Sequence, residues 1–213
     1  MTTQAMTAGR VPMPGMKVYN LKLGMWVFLL SEVMFFTGLI GSYIILRFAH
    51  PEHFANPGEV LNVNLTAINT FLLICSSVTM VKAYAAIQQG DQQGLKKWLL
   101  FTILMGASFV GVQVYEYIQL VGEGFVPMAE LYAAGEAHGE LIGGPLYGAT
   151  FYTMTGFHGT HVSIGVGCLC FTYWRAAKGE YTADSLGGVE IMGLYWHFVD
   201  LVWIILFTIV YLI

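Results

Sequence analysis

Five long apolar segments dominate this sequence. They cover residues 21–48, 65–88, 96–121, 147–174 and 189–213. Each is long enough to cross the hydrocarbon core of a bilayer, which takes about 20 apolar residues in an α-helix. Together they use most of the 213 residues, so no room remains for a soluble catalytic domain. The sequence therefore predicts an all-α, multi-pass bundle of five transmembrane helices at residues 21–213, after a polar N-terminal tail at residues 1–20.

Composition supports a membrane protein and argues against nucleic-acid binding. The chain is 56% hydrophobic and only 10% charged, whereas ordinary soluble domains are about 25% charged. A formal net charge of -4 provides no basic surface for a phosphate backbone, so we expect no nucleic-acid partner. All six prolines lie outside the five apolar segments, which predicts continuous helices without the unwound centres of many transporters.

The basic residues predict the orientation of the bundle. Lys and Arg near membrane ends are retained on the cytoplasmic side, and only Arg47 lies on the other side of the predicted topology. This places the N-terminus in the cytoplasm and the C-terminus outside. The connector at residues 122–145 then lies outside, and we interpret its acidic residues as a solvated loop face, with a docking face for a cationic redox partner as the alternative. Eight basic residues share the cytoplasmic side: Arg10, Lys17, Lys22, Lys82, Lys96, Lys97, Arg175 and Lys178.

Three carboxylic acids lie deep inside the apolar segments, away from the segment ends. They are Glu32, Glu116 and Asp200. A charged group at the bilayer centre costs about 2.5 to 3.5 kcal/mol on insertion scales, so such residues normally face protein or water and mark a function. An independent proton-coupled transporter or channel would use acids of this kind, and it is one hypothesis for this chain.

Histidines accompany these acids at membrane depth. His158 and His161 are three residues apart and therefore lie on one helix face, as do His197 and Asp200. A metal-binding pair would need a further set of ligands, and the sequence offers neither an HExxH motif nor a thiolate cluster. We therefore predict structural hydrogen bonding for His158 and His161. For His197 and Asp200 we predict a satisfied polar pair, with a proton relay as the alternative.

Small and sulfur-bearing residues inside the segments are interpreted as packing features. A small side chain recurs every fourth residue in the fourth segment, which predicts close approach of another helix; the positions are Thr155, Gly159, Ser163 and Gly167. Cys75, Cys168 and Cys170 form no CxxC pair, so packed thiols are expected instead of a metal site.

Four motifs then carry a resemblance to a known family. Residues 195–203, YWHFVDLVW, resemble the last-helix signature of cytochrome oxidase subunit III. Three further motifs stand in the order of that family: SEVMFF at residues 31–36, QVYEY at 113–117 and TGFHGTHV at 155–162. The resemblance covers residues 22–213. The chain lacks the first two helices of the seven-helix form of the family and is similar to the five-helix bacterial form.

The resemblance implies an accessory subunit of a proton-pumping haem-copper oxidase, which reduces oxygen to water, in the plasma membrane of a bacterium. Subunit III of this family packs on subunit I beside subunit II, binds phospholipid, and supports proton uptake and turnover stability. Haem and copper are held by the partner subunits, so no catalytic residue, metal or cofactor is expected here beyond a structural phospholipid. The expected electron donor is cytochrome c. A quinol oxidase subunit and, more remotely, an independent transporter are the alternatives.

The resemblance also assigns roles to particular residues. Glu32 corresponds to the membrane carboxylate of the family and His161 to the second histidine of its motif. We expect these two side chains to meet between helices, within an inner polar cluster. Arg47 is a candidate contact for a phospholipid headgroup, with interfacial anchoring as the alternative. The predicted cluster comprises Glu32, His158, His161, Glu116, His197 and Asp200.

Overall fold

The computed structural model describes residues 14–125, 145–183 and 185–213, and these residues form an all-helical multi-pass membrane bundle without strands. Five of the helices have 21 residues or more: α1 (Pro14–Ala49), α2 (Val63–Gln88), α3 (Gln92–Gly122), α4 (Pro145–Ala177) and α5 (Gly187–Phe207). A π-helical turn, Thr208–Leu212, extends α5. Between α1 and α2 lie a 3₁₀ turn, Pro51–His53, and a single α-helical turn, Pro57–Val60.

Local sequence explains where the helices begin. The side chain of Asn62 accepts a hydrogen bond from the backbone N–H of Leu65 and caps α2, and Asp91 caps α3 in the same way, because a side-chain oxygen satisfies the free N–H groups of a first turn. Helix α1 begins at Pro14, inside the predicted polar tail of residues 1–20. Proline at the first helical position has no N–H to satisfy and favours a helix start, so the helix extends N-terminally beyond its apolar span, which begins at Asn20.

Four of the long helices are apolar enough to cross a membrane, over Asn20–Ala49, Val63–Gln88, Gln92–Gly122 and Gly187–Leu212. Helix α4 has 33 residues, more than a span requires, but it is not among these four. Its hydropathy is lowered by His158 and His161, which lie near its middle. The predicted acidic connector lies mostly outside the described residues, which include Glu123 but not Glu130, Glu136 or Glu140.

Four helices form a ring: each of α2, α3 and α4 packs against the next helix in the chain, and α5 closes the ring by packing against α2. Helix α1 lies outside the ring, against α5 and α4. Only 11% of the apolar span of α1 is buried, compared with 39%, 28% and 44% for α2, α3 and α5. Helix α1 is therefore the least enclosed of these four spans.

Basic side chains gather at one end of the described bundle. Lys22 at the start of α1 donates to Glu190 at the start of α5. Lys82 and Lys97 both lie over the ring of Trp98, which joins the end of α2 to the start of α3. The predicted segregation of basic residues is therefore present at this end, whichever side of the membrane it faces.

The predicted strip of small residues on α4 is in contact over only half its length. A Cβ atom added to Gly159 would lie 2.7 Å from the side chain of Gln113 on α3, so close approach occurs there. Ser163 and Gly167 are exposed. Cys168 and Cys170 are also exposed, so they are not packed thiols. The apolar sequence around them reflects helix surface that faces outwards, not protein interior.

Candidate functional site

A carboxylate–imidazole contact joins α1 to α4. The Oε2 atom of Glu32 lies 3.0 Å from Nε2 of His161, and both side chains are 17% exposed. The contact that we expected between these two residues is therefore present. Around it, the ring of Phe36 packs edge-on against the imidazole at 5.3 Å, and the hydroxyl group of Tyr195 donates to the backbone oxygen of His161.

The hydrogen bonds fix where the proton of this pair can lie. Nδ1 of His161 is 2.7 Å from the backbone oxygen of Phe157. Since a carbonyl oxygen only accepts, Nδ1 carries a hydrogen. The contact between Nε2 and Glu32 then requires one more proton, either on the imidazole as an ion pair or on the carboxyl group as a neutral pair. Glu32 and His161 therefore share a single proton between α1 and α4.

His158 faces the interior of the bundle, away from that pair. It is fully buried, and its Nε2 atom donates to the backbone oxygen of Val199 on α5 at 3.1 Å. The ring lies 4.8 Å from the ring of Trp203 and meets Phe109 edge-on. Its other nitrogen, Nδ1, has no hydrogen-bond partner among the described residues. The contacts are those of the structural hydrogen bonding predicted for this histidine.

Glu116 is a second buried acid, 5% exposed, with hydroxyl donors on both oxygens. Thr66 on α2 donates to Oε1 at 3.0 Å, and Tyr211 in the π-helical turn donates to Oε2 at 3.2 Å. This carboxyl group therefore joins α2, α3 and the end of α5. Two hydroxyl donors reduce the cost of burying it.

His197 and Asp200 are not hydrogen-bonded to each other. Nδ1 of His197 lies 2.5 Å from the Oγ atom of Ser77 on α2, and the hydroxyl group of Ser77 is also close to the carboxyl group of Asp200. The Oδ1 atom of Asp200 has no partner in the described part of the chain. The predicted direct pair is thus replaced by an arrangement in which a serine on another helix lies next to both side chains.

The six residues of the predicted cluster do not form one connected set of hydrogen bonds within the described residues. Glu32 and His161 contact each other, whereas Glu116, His158 and His197 are bound to different partners on different helices. Helical periodicity predicts that a residue faces inwards, but it does not say which neighbouring helix it will meet. The structure therefore distributes these six residues over several separate contacts, and a shared role for them stays a prediction.

Arg47 lies at the other end of α1. Its guanidinium group donates to the hydroxyl group of Tyr43 at 2.7 Å and to the backbone oxygen of Ile213 at 2.6 Å, and it sits 5.9 Å from the ring centre of Phe54. These contacts link α1 to the π-helical turn after α5. Contact with a phospholipid headgroup stays a prediction for this residue.

Sequence reasoning missed several residues that hold these contacts. Ser77 is one, and Glu190, the partner of Lys22, is another. A third is Gln113, which donates to the backbone oxygen of Thr155 at 2.8 Å where Gly159 lets it approach. Only the last had a usable signal, since a polar residue and a glycine in two helices can mark a close crossing. Among the described residues, no group of three or more His, Cys, Asp or Glu could hold a metal ion.

Comparison with known proteins gives the family. The family model for cytochrome c oxidase subunit III matches residues 7–213. The chain belongs to the cytochrome c oxidase subunit III family. Within this family it is 39% identical to cytochrome c oxidase subunit 3 of Thermostichus vulcanus, over 89% of this chain and 86% of the relative.

Relatives within the cytochrome c oxidase subunit III family carry two kinds of name. Cytochrome c oxidase subunit 3 of Synechocystis sp. is 38% identical over 89% of this chain and 74% of the relative. Quinol oxidase subunit 3 of Bacillus spizizenii is 34% identical over 89% of this chain and 85% of the relative. The family therefore includes subunits of oxidases that are named for different electron donors.

The Glu32–His161 contact gives a first prediction. Replacing Glu32 with Ala is expected to destabilise the docking of α1 by about 1 to 2 kcal/mol, because it leaves His161 without its partner between two helices. Glu32→Gln, which keeps a hydrogen-bonding side chain, is expected to cost less. The measurement is a double-mutant cycle with His161→Ala on the unfolding free energy in mixed micelles. A coupling energy of zero would show that the contact contributes nothing to stability.

Proposed function

We propose that this chain is the accessory, non-catalytic subunit III of a proton-pumping haem-copper oxidase in a bacterial plasma membrane. The observation that carries the proposal is the match of the family model along residues 7–213. In this proposal the chain packs on subunit I, with subunit II in the same complex, and haem and copper belong to those partners. Oxygen is reduced to water there, while this chain supports proton uptake and the stability of subunit I during turnover.

The proposed topology has five spans, with the N-terminus in the cytoplasm. The basic end of the bundle supports this orientation, because Lys22, Lys82 and Lys97 lie there together and basic residues are retained in the cytoplasm. Helix α4 is the fifth span in this proposal. It is long enough to span, and it packs between α3 and α5. Because His158 faces the protein interior, a histidine is tolerated at this depth.

A phospholipid is proposed for the groove between α1, α4 and α5 at the basic end. The groove has a volume of about 340 Å³ and an apolar lining that includes Phe28 and Phe171, with Arg175 at its edge. Acyl chains suit the apolar wall, and the guanidinium group of Arg175 suits a phosphate, although one of its N–H groups already donates to Glu180. This arrangement supports a role in binding lipid for the complex.

The apolar perimeter of α1 supports packing against subunit I or lipid. Large side chains there are widely exposed, among them Val27 at 61%, Leu30 at 63% and Met34 at 77%. In a bilayer these side chains can remain in contact with lipid, because lipid is as apolar as they are. A neighbouring transmembrane subunit can therefore pack on this surface without displacing polar contacts.

The test is purification through an affinity tag on this chain in mild detergent, followed by a reduced-minus-oxidised visible spectrum and metal analysis. We expect haem and copper to co-purify with a larger partner and to be absent from the chain after it is separated. A chain that comes out alone and free of metal would favour the independent transporter. A chain that holds haem by itself would contradict the structural role of His158 and His161.

The electron donor requires a separate assay. The relative named quinol oxidase subunit 3 is the observation that favours a quinol donor, whereas the relatives at 38% and 39% identity are named for cytochrome c. We propose cytochrome c on that balance. Oxygen consumption by the purified complex with reduced cytochrome c, compared with a reduced quinol, decides between the two donors.

A further inference from the structure

A second groove lies between α1 and α5, on another side of α1 from the proposed lipid groove. It has a volume of about 270 Å³, and its wall is formed by Trp26, Leu30, Val33, Phe198 and other apolar side chains. His197 is the one ionisable side chain in that wall. His197 also borders a smaller groove beside Met80 and Glu190, so its ring separates the two grooves and forms part of an otherwise apolar wall in this one.

The imidazole of His197 has a hydrogen-bonding position that the described part of the protein does not use. Nδ1 is held by Ser77, while Nε2 has no hydrogen-bond partner among the described residues. The side chain is half-buried. A polar nitrogen that faces hydrocarbon is costly unless it is hydrogen-bonded. The free nitrogen therefore favours a ligand that brings an oxygen atom into this groove.

The depth of His197 narrows the class of ligand. It lies ten residues after Gly187, where α5 begins, and fifteen residues before Leu212, where the π-helical turn ends. At 1.5 Å per residue, these distances are about 15 Å and about 22 Å, compared with a hydrocarbon core of about 30 Å. Phospholipid esters lie at the boundary of that core, so their oxygens do not reach His197. The ligand must carry its polar oxygen in the middle of the bilayer.

We propose that this groove binds the head group of a lipid-soluble quinone or quinol. The flat ring packs against the aromatic side chains of Trp26 and Phe198, and one ring oxygen is hydrogen-bonded to Nε2 of His197. Pockets that enclose a whole small-molecule ligand measure about 300 to 1,000 Å³. A groove of about 270 Å³ holds the ring and leaves an isoprenoid tail in the bilayer.

Both the quinone and the quinol suit this site, because the orientation of the Ser77 hydroxyl group determines which nitrogen of His197 carries the hydrogen. When the Ser77 hydroxyl donates to Nδ1, Nε2 carries a hydrogen and donates to a quinone carbonyl. When that hydroxyl is directed to Asp200, Nδ1 donates to Ser77 and Nε2 accepts from a quinol hydroxyl. The proposal concerns binding alone, and the chain transfers no electron in it.

The experiment is photolabelling of the complex in lipid nanodiscs with a short-tailed benzoquinone that bears an aryl azide. Labelled peptides of this chain are then identified by mass spectrometry, which separates them from quinone sites in partner subunits. We expect label in peptides around residues 26–33 and 194–201. An excess of unlabelled decyl-benzoquinone should compete for the label, and an equal excess of phosphatidylglycerol should not.

Two variants and a control test the role of the groove. His197→Phe keeps the ring but removes the nitrogen, and at subsaturating probe it should reduce labelling about three- to tenfold. Leu30→Trp fills the groove from an exposed position (63%), where it can be accommodated, and should reduce labelling similarly. His50→Phe, in the connector after α1, should leave it unchanged. Undiminished labelling in both groove variants, equal competition by phosphatidylglycerol, or absence of label from this chain would overturn the proposal.

Discussion

Replacing Trp203 with Ala is expected to destabilise the bundle by about 3 to 5 kcal/mol. Trp203 is 1% exposed. Its indole N–H donates to the hydroxyl group of Thr70 at 2.8 Å, and its ring lies 4.9 Å from Phe109 and 4.8 Å from His158. The substitution removes contacts on three helices and leaves a cavity that side chains on fixed helices cannot close. The free energy of unfolding in mixed micelles, measured by denaturant titration, is the quantity to compare.

Two controls separate the cavity from other effects of this substitution. Trp26→Ala removes an indole that is 49% exposed and should cost less than about 1 kcal/mol. Trp203→Phe removes the hydrogen bond to Thr70 but keeps most of the volume, so a cost of about 1 kcal/mol is expected. Similar losses for Trp203→Ala and Trp26→Ala would contradict the central position that the structure gives to Trp203.

Replacing Gly106 with Val should also have a large effect, about 3 kcal/mol or more at the upper end of overpacking costs. A Cβ atom at Gly106 would lie 2.6 Å from the indole ring of Trp196 and 3.0 Å from Val166. The indole cannot move aside easily, since it is 1% exposed and its N–H donates to Ser76 at 3.0 Å. A Cβ atom at Gly165 of α4 would lie 2.9 Å from the same ring, so α4 also confines the indole.

Gly111→Val is the matched control, because Gly111 lies on the same helix and a Cβ atom there would meet nothing within 4 Å. Both substitutions add the same side chain to α3, so their intrinsic effect on helix formation is equal. The difference between the two unfolding free energies therefore measures the contact with Trp196. Equal stabilities would show that α3 and α5 are further apart than the structure places them.

Hydropathy predicts that the fold is helical, but it predicts the first and last residues of each helix less accurately. Apolar runs give the helices because every backbone group in hydrocarbon must be paired within its own segment. Their ends depend on single residues. Pro14 was interpreted as part of a polar tail, yet it is the first residue of α1, and Val63 begins α2 two residues earlier than the apolar run because Asn62 caps it.

Parts of the site were predictable because the free-energy cost of placing a side chain in lipid depends on the residue type, which can be read from the sequence. Glu32 and His161 are both expensive in lipid and occupy matching positions in the motifs of the family, so a contact between them could be inferred before the structure was known. The partner of His197 could not, since Ser77 is an ordinary serine in an apolar run and nothing in its neighbourhood marks it. Neighbours across helices depend on rotation and crossing angle, which are set by packing and not by periodicity.

Close approach between helices was only partly predictable for a related reason. A repeat of small residues on α4 predicted a contact strip, whereas at Gly106 and Gly165 an added Cβ atom would lie less than 3 Å from the ring of Trp196. A glycine matters where a bulky side chain on another helix faces it. That information is held by two segments jointly, so inspection of either segment alone does not reveal it.

The distance in sequence between Glu32 and His161 has a consequence for biosynthesis. The two residues are 129 positions apart, and a ribosome adds about 5 to 20 residues per second. Roughly 6 to 26 seconds therefore pass between the addition of Glu32 and the addition of its partner on α4. During that interval Glu32 has no partner, and a carboxyl group alone in lipid is costly, so we expect α1 to stay beside a protein that shields it until α4 arrives.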